Sequence, residues 1–396
     1  LATVRKVWLL VVGAFGLGLD AYVMAGLLPV VARDVGTTVS LAGQMVTVFT
    51  LAYAIAAPLV AGLMAGVRPR SLLLVALAVF TVGNAATALA PALGALLAAR
   101  VVAGAGAGVY AALSTAAASA LVPAERRGRA LALVMGGMST GTVLGVPVGV
   151  LLAERAGWRS TMWLVTGLGG LALVGLAVLL PSVPADPPVP VRARLAAVAD
   201  REVAPVVGVS FLAAVASLGL YTYLAPVLAS AGGVREVTPY LWAWGIGGVL
   251  GSLVAGPLVD RTGKVKALVG GVLVTVVAAQ ALLPLLASAA LPGAAVALVL
   301  WGAAGWALQV PQQHRLLALR DDRGTVALAL NNSALYLGSA VGSALGGLAL
   351  AAGAEAYVLP WAAAGVAALG LALHLRAGRR SRHVARVGTL GGYEHC

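Results

Sequence analysis

The sequence predicts an all-α membrane protein: twelve transmembrane helices in two pseudo-symmetric six-helix bundles. Three observations lead there. Hydrophobic residues make up 61% of the 396 and charged residues only 10%, which excludes an ordinary soluble domain. Apolar stretches of about 20 residues recur along the whole length, each long enough to cross a hydrocarbon core of roughly 30 Å. Segments of the first half can also be laid over segments of the second at a near-constant offset. Strand-like alternation is absent, and backbone facing lipid must satisfy its own hydrogen bonds, so each span is expected to be a helix.

The spans fall near 7–31, 41–65, 71–91, 94–118, 128–153, 158–181, 203–229, 238–259, 267–289, 291–312, 325–352 and 356–376. The first is about 25 residues long with Asp20 at its centre, unlike a removable signal peptide. After the sixth comes PSVPADPPVPVRARL, whose prolines resist helix and favour an extended linker. The expected organisation is a bundle over 1–181, a cytoplasmic linker over 182–202, a second bundle over 203–377 and a cytoplasmic tail over 378–396. Pro29 matches Pro226 at an offset of 197, and Gly141, Gly145 and Gly149 match Gly338, Gly342 and Gly346 at the same offset. The turn beginning at Gly62 matches the one beginning at Gly256 at an offset of 194. Three agreeing pairs support duplication, a common plan of secondary transporters.

The net charge of +13 resembles a nucleic-acid signal until it is mapped. With the N-terminus placed inside, 21 basic residues fall on the cytoplasmic side and four (Arg33, Arg155, Arg159, Arg235) on the other. That split predicts both termini in the cytoplasm and explains the charge by topology, with a lipid bilayer and no nucleic acid as partner. Arg far outnumbers Lys, and Ala, Gly and Val are heavily used, which points to a bacterial plasma membrane. Cys396 is the only cysteine and the four histidines are scattered, so neither a disulfide framework nor a metal site is expected. HExxH and P-loop motifs are missing, and GAGAG lies within a span rather than after a strand. No enzyme and no cofactor is expected.

Two charges do not fit the topology. Asp20 lies mid-way along the first span, in LGLDAYVMAGLLP, and Arg100 a third of the way into the fourth, in LLAARVVAGAGAG. An ionisable group at such depth costs roughly 2.5–3.5 kcal/mol on insertion scales. Asp20 is about 20 Å from the inner end of its span and Arg100 about 9 Å from the outer end of its own, so the side chains can approach in the outer half of the membrane. By the repeat they project onto Ser217 and Ala297, so neither has a charged twin. A structural need of the fold would be expected in both halves; a chemical task needs one copy.

GMSTGTVLGVPVG in the fifth span, followed by ERAGWRSTMW, resembles the antiporter motif of exporters in the major facilitator superfamily. Gly137, Gly141, Gly145 and Gly149 recur every four residues as a smooth stripe that permits close helix approach, and Pro147 can kink the helix. GPLVDRTGKVK, with Gly256, Asp260, Arg261 and Gly263, resembles the superfamily's cytoplasmic signature. There Asp260 ends a helix where its carboxylate can meet basic groups and hold the cytoplasmic side closed. The first-half copy departs from the pattern, with Gly66 in place of the Asp and Pro69 in place of a Gly. The first- and fourth-span segments resemble the acidic motif and the proton-coupling Arg motif of the superfamily's drug:proton antiporters. The resemblance covers roughly 7–376 and is nearest to chloramphenicol-resistance and arabinose-efflux-like exporters.

The resemblance implies a proton-coupled exporter of a lipophilic or amphiphilic small molecule by alternating access. Protons would be the coupling ion, Asp20 and Arg100 the coupling pair, and a monomer the working unit. The alternatives are a proton symporter or facilitator for a small nutrient such as a sugar, and a non-transporting sensor on the same fold. Spans that face the centre in this family supply the substrate candidates: Tyr22, Met24, Tyr110, Met138, Tyr221, Tyr223, Trp301, Asn331, Asn332 and Tyr336. Asn84 and Gln280 are set aside because their spans are expected to be peripheral.

Overall fold

The computed structural model describes residues 2–63, 67–123, 126–181, 200–234, 236–289, 291–318 and 321–390. Among them are twelve helices long and apolar enough to cross a membrane. These are span 1 (Val7–Asp34), span 2 (Val39–Val60), span 3 (Pro69–Leu89), span 4 (Leu93–Ala120), span 5 (Arg127–Ala156) and span 6 (Trp158–Leu179). The second half holds span 7 (Val203–Thr222), span 8 (Thr238–Thr262), span 9 (Val265–Ala289), span 10 (Pro292–Leu317), span 11 (Val326–Ala351) and span 12 (Ala356–Ala377). Most of the predicted linker, 182–199, lies outside the described residues, as do Gly66 and the last six residues. The helix that carries span 12 continues to Leu390, into the predicted tail.

Packing repeats the sequence duplication. Span 1 packs on spans 5 and 6, span 4 on spans 2 and 3, and span 3 on span 6. In the second half span 7 packs on spans 11 and 12, span 10 on spans 8 and 9, and span 9 on span 12. The halves meet where span 2 lies along span 11 and, symmetrically, where span 5 meets span 8.

The glycine stripe explains the closest of these contacts. A Cβ on Gly137 or Gly141 would strike the carbonyls of Val11 and Phe15, and on Gly145 or Gly149 the side chains of Leu19 and Val23. Span 5 thus rides on every fourth residue of span 1. In the second half Gly338 and Gly342 face the carbonyls of Phe211 and Val215, and Gly346 faces Tyr223. The proline in span 5 does not produce a simple kink. A π-helical turn, Gly141–Gly145, precedes it, and the Val146 N–H reaches back to the Gly141 carbonyl. Pro147 has no N–H to return to the preceding turn, and the widened turn absorbs the mismatch.

Pro226 breaks span 7 more sharply. The helix ends at Thr222, Tyr223 departs from helical geometry (φ −106°, ψ 21°), and a short helix resumes over Leu224–Gly232. Its first-half match, Pro29, sits inside an uninterrupted helix.

Two ends of the bundle can be distinguished. The basic face carries Arg68, Arg70, Arg126, Arg127, Arg129, Arg261, Lys264 and Lys266 at helix ends; the distal face carries Asp34, Ser40, Glu154, Arg159 and Thr238.

Candidate functional site

Asp20 and Arg100 touch. The Arg100 guanidinium donates to the Asp20 carboxylate at 2.6 Å, and both side chains are sealed, at 0% and 1% exposure. Their partners come from two further spans. Asn84 on span 3 donates its amide N–H to the second carboxylate oxygen at 3.0 Å and accepts from Arg100 at 3.3 Å. Phe49 on span 2 lies under the guanidinium, 4.1 Å from ring centroid to Cζ. Both carboxylate oxygens are hydrogen-bonded, and the cation has a carboxylate, an amide oxygen and a ring face.

Small residues allow this approach. A Cβ on Gly83, beside Asn84, would strike the Ala103 backbone of span 4, and one on Gly104 would strike the Phe49 carbonyl. Spans 2, 3 and 4 therefore close tightly around the ion pair. Asn84, expected to be peripheral, is instead fully buried and completes the site. Two signals pointed to it, namely an amide in mid-span and a glycine next to it.

Gln280, also set aside, is equally buried. It matches Asn84 at an offset of 196, and its amide donates to the Ala216 carbonyl at 3.2 Å. Next to Ala216, Ser217 occupies the position equivalent to Asp20 and accepts a hydrogen bond from the indole N–H of Trp301. Trp301 stands one helical turn past Ala297, the position equivalent to Arg100. The ion pair thus has no charged twin but does have a neutral one, built by the matching three spans.

A cavity of about 10 Å³, room for about one water, lies between the halves at mid-depth. Spans 1, 2, 7 and 11 line it, and among the substrate candidates Tyr22, Tyr221 and Tyr336 contribute to its wall. Thr50, Thr222 and Ser339 are lining residues that sequence reasoning missed. The other candidates lie elsewhere. Tyr110 is buried with its hydroxyl donating to the Leu10 carbonyl, and Tyr223 donates to the Ser343 carbonyl at 2.8 Å. Met24 is fully buried in the core, and Trp301 belongs to the neutral joint just described. Met138 packs its backbone against Gly18, Asn331 is buried with its side-chain oxygen unpartnered, and Asn332 is exposed away from the lining. Asp20 is not in the wall either: its neighbours Ala21 and Tyr22 are, while Asp20 faces spans 3 and 4.

The halves are tied at the distal end. Ser40 donates to the Gly347 carbonyl at 2.6 Å, Thr47 and Ser343 share a hydrogen bond at 2.9 Å, and Tyr53 stacks on Tyr336 at 3.5 Å deeper in. Asp34 binds the indole of Trp158 at 2.9 Å and the guanidinium of Arg159, so the GWR segment anchors the distal end of span 1. Asp260 is exposed at the basic end of span 8. The contact expected between it and basic groups is not formed: among the described residues the ion pairs are Asp20–Arg100 and Asp34–Arg159.

Comparison with known proteins decides the family, because the family profile of the Major Facilitator Superfamily matches residues 10–342. The chain belongs to the major facilitator superfamily. It is 32% identical to the inner membrane transport protein YdhP of Escherichia coli over 373 residues, 94% of this chain and 95% of that protein. It is 33% identical to a chloramphenicol resistance protein of Streptomyces lividans over 343 residues, 85% of this chain and 86% of that one. Among solved structures, a bacterial homolog of the human lysosomal transporter Spinster superposes with a TM-score of 0.74 at 16% identity, covering 96% of this chain and 97% of that one. The xylose transporter XylE of Escherichia coli gives 0.74 at 16% identity, covering 95% and 99%. Superfamily membership makes this chain a multi-pass membrane transporter and not an enzyme.

Proposed function

We propose that this chain exports a lipophilic or amphiphilic small molecule in exchange for protons, by alternating access of its two bundles. The observation that carries the reading is the sealed Asp20–Asn84–Arg100 site, whose Asp20 lies on the same helix as the cavity-lining Ala21 and Tyr22. Protonating Asp20 removes the charge that holds Arg100, and span 1 then transmits any change to the cavity wall one residue away. Asn84 and Phe49 keep Arg100 accommodated while Asp20 is neutral. Proton and substrate therefore influence each other through span 1 rather than by touching the same carboxylate. The glycine stripe of span 5 gives span 1 a smooth surface to move against.

The basic face lies in the cytoplasm of a bacterial plasma membrane by the positive-inside rule, so the distal ties close the outward side. Breaking them and meeting at Asp260 and Arg261 gives the alternate state. A monomer suffices, with the substrate and the bilayer as partners and no cofactor beyond the proton. An inward proton gains about 2.3 kcal/mol per 100 mV of membrane potential, which drives export. The likeness to a chloramphenicol resistance protein supports an antibiotic-like substrate.

The test uses inside-out vesicles with an acidified lumen, to which lipophilic antibiotics, chloramphenicol first, are added. Proton release on addition, absent in Asp20→Asn, is the expected result. Extrusion against a gradient by Asp20→Asn would overturn the reading. Protons moving with the substrate would instead assign a symporter, and binding without flux a sensor.

A further inference from the structure

We infer that the basic-face junction of spans 9, 10 and 12 holds a phosphate group, the headgroup of an anionic phospholipid of the inner leaflet. The inference is independent of the exporter reading and rests only on the basic face lying in the cytoplasm. Two side chains here do not fit a purely topological role, which asks for charge exposed to water. Arg315, near the end of span 10, is half-buried and donates to the neutral side-chain oxygen of Gln312 at 3.3 Å. His374, in the last turn of span 12, is only 4% exposed. Its Nε2 donates to the Lys266 carbonyl in the first turn of span 9 at 2.8 Å, since a carbonyl can only accept. The other ring nitrogen, Nδ1, is buried with no hydrogen-bond partner among the described residues.

The surroundings are cationic. Arg315 and Lys266 both lie within electrostatic reach of the His374 ring. Among the described residues neither cation has an ion-pair partner, and Asp260, exposed at the end of span 8, forms no ion pair either. Span 9 begins here without an acidic residue in its first turn, so its first N–H groups add positive potential. The matching junction of spans 3 and 6 holds Arg70, which donates to the Ala177 carbonyl at 2.7 Å, and no buried imidazole. A phosphate suits the second-half set. The Arg315 fork matches two of its oxygens, Lys266 adds a charge-assisted donor, and Nδ1 donates once the ring takes up a proton. The flanks favour a lipid as the source. Leu317 and Leu375, beside Arg315 and His374 in the chain, are 57% and 52% exposed. An acyl chain lying along them brings its headgroup to the cations, whereas free phosphate gains nothing from them.

The experiment adds dioleoylphosphatidylglycerol, dioleoylphosphatidylcholine or inorganic phosphate to the full chain in a neutral detergent. Bound lipid is counted by native mass spectrometry, and affinity is read from the rise in unfolding temperature. Phosphatidylglycerol is expected to bind at least about tenfold tighter than phosphatidylcholine. Arg315→Gln and Lys266→Gln are each expected to weaken it about fivefold. Arg129→Gln, which removes an exposed charge elsewhere on the basic face, should weaken it less than about twofold. Lys266 is exposed, so its variant keeps the test open should Arg315→Gln fail to fold. Equal losses in all three variants, or no preference over phosphatidylcholine, would overturn the inference and leave only diffuse attraction to the basic face. Inorganic phosphate that raises the unfolding temperature of the wild type but not of Lys266→Gln, and displaces the lipid, would overturn the headgroup as the occupant and assign the same cations to free phosphate.

Discussion

Spans 1, 3 and 4 bring Asp20, Asn84 and Arg100 together at mid-depth, and spans 7, 9 and 10 bring Ser217, Gln280 and Trp301 to the corresponding place. Both are polar joints between three helices inside an apolar bundle. They differ in what they can do. A hydroxyl, an amide and an indole are neutral, whereas the first-half joint holds a carboxylate and a guanidinium. Both halves have a polar joint at this position, and the first-half one is charged. Duplication explains the joint, and the departure from duplication marks the chemistry.

The sharpest way to break the comparison is to remove the charge. Asp20→Asn or Arg100→Leu alone leaves a buried group without its partner and is expected to lower stability by about 3–5 kcal/mol, read as thermal unfolding in detergent. The double variant has no orphaned ion and should recover most of that loss, since replacing a buried pair by neutral groups is often tolerated. Proton-driven transport should be lost in all three. If the double variant instead loses the sum of what the two singles lose, the two side chains are not energetically coupled and the first-half joint is no different from the second.

Packing, in contrast, should respond alike in both halves. Gly141→Ala and Gly342→Ala each push a Cβ into a backbone carbonyl, of Phe15 and Val215 respectively. Each is expected to cost about 1–3 kcal/mol, because backbone cannot rotate away. Gly136→Ala, one position from the stripe with nothing within 4 Å, should be neutral or slightly stabilising in the same assay. A large loss in one half only would show that the stripes are not equivalent.

Much of this was legible in one dimension. Twelve apolar runs, a repeat at an offset of 197 and two stranded charges need only the chain order. The depths of Asp20 and Arg100 allow the two side chains to approach, and the structure shows that they touch. What stayed hidden depends on helix rotation. Spans apolar on all sides present no polar stripe to fix which residues face the centre. Sequence alone therefore puts Tyr110 and Tyr223 at the cavity, whereas they cap backbone carbonyls away from it, and leaves Asn84 outside the site it completes. The repeat held the missing clue. Asn84 and Gln280 occupy matching positions, and two amides in mid-span at equivalent places indicate a joint.

Those two amides supply the finest test of the comparison. Asn84 uses both ends of its side chain, donating to Asp20 and accepting from Arg100. Asn84→Leu strips a hydrogen bond from each charge and is expected to cost about 1–3 kcal/mol while weakening proton coupling, seen as less proton release per substrate moved. Gln280 donates once, to a carbonyl within a helix, and its side-chain oxygen has no partner. Gln280→Leu removes an unsatisfied buried acceptor together with a bond worth only about 0.6 kcal/mol in membrane proteins. Its stability should change by less than about 1 kcal/mol, in either direction, with proton coupling intact. A loss as large as that of Asn84→Leu would mean that the neutral joint bears as much of the structure as the charged one, and that the asymmetry between the halves lies in the proton alone.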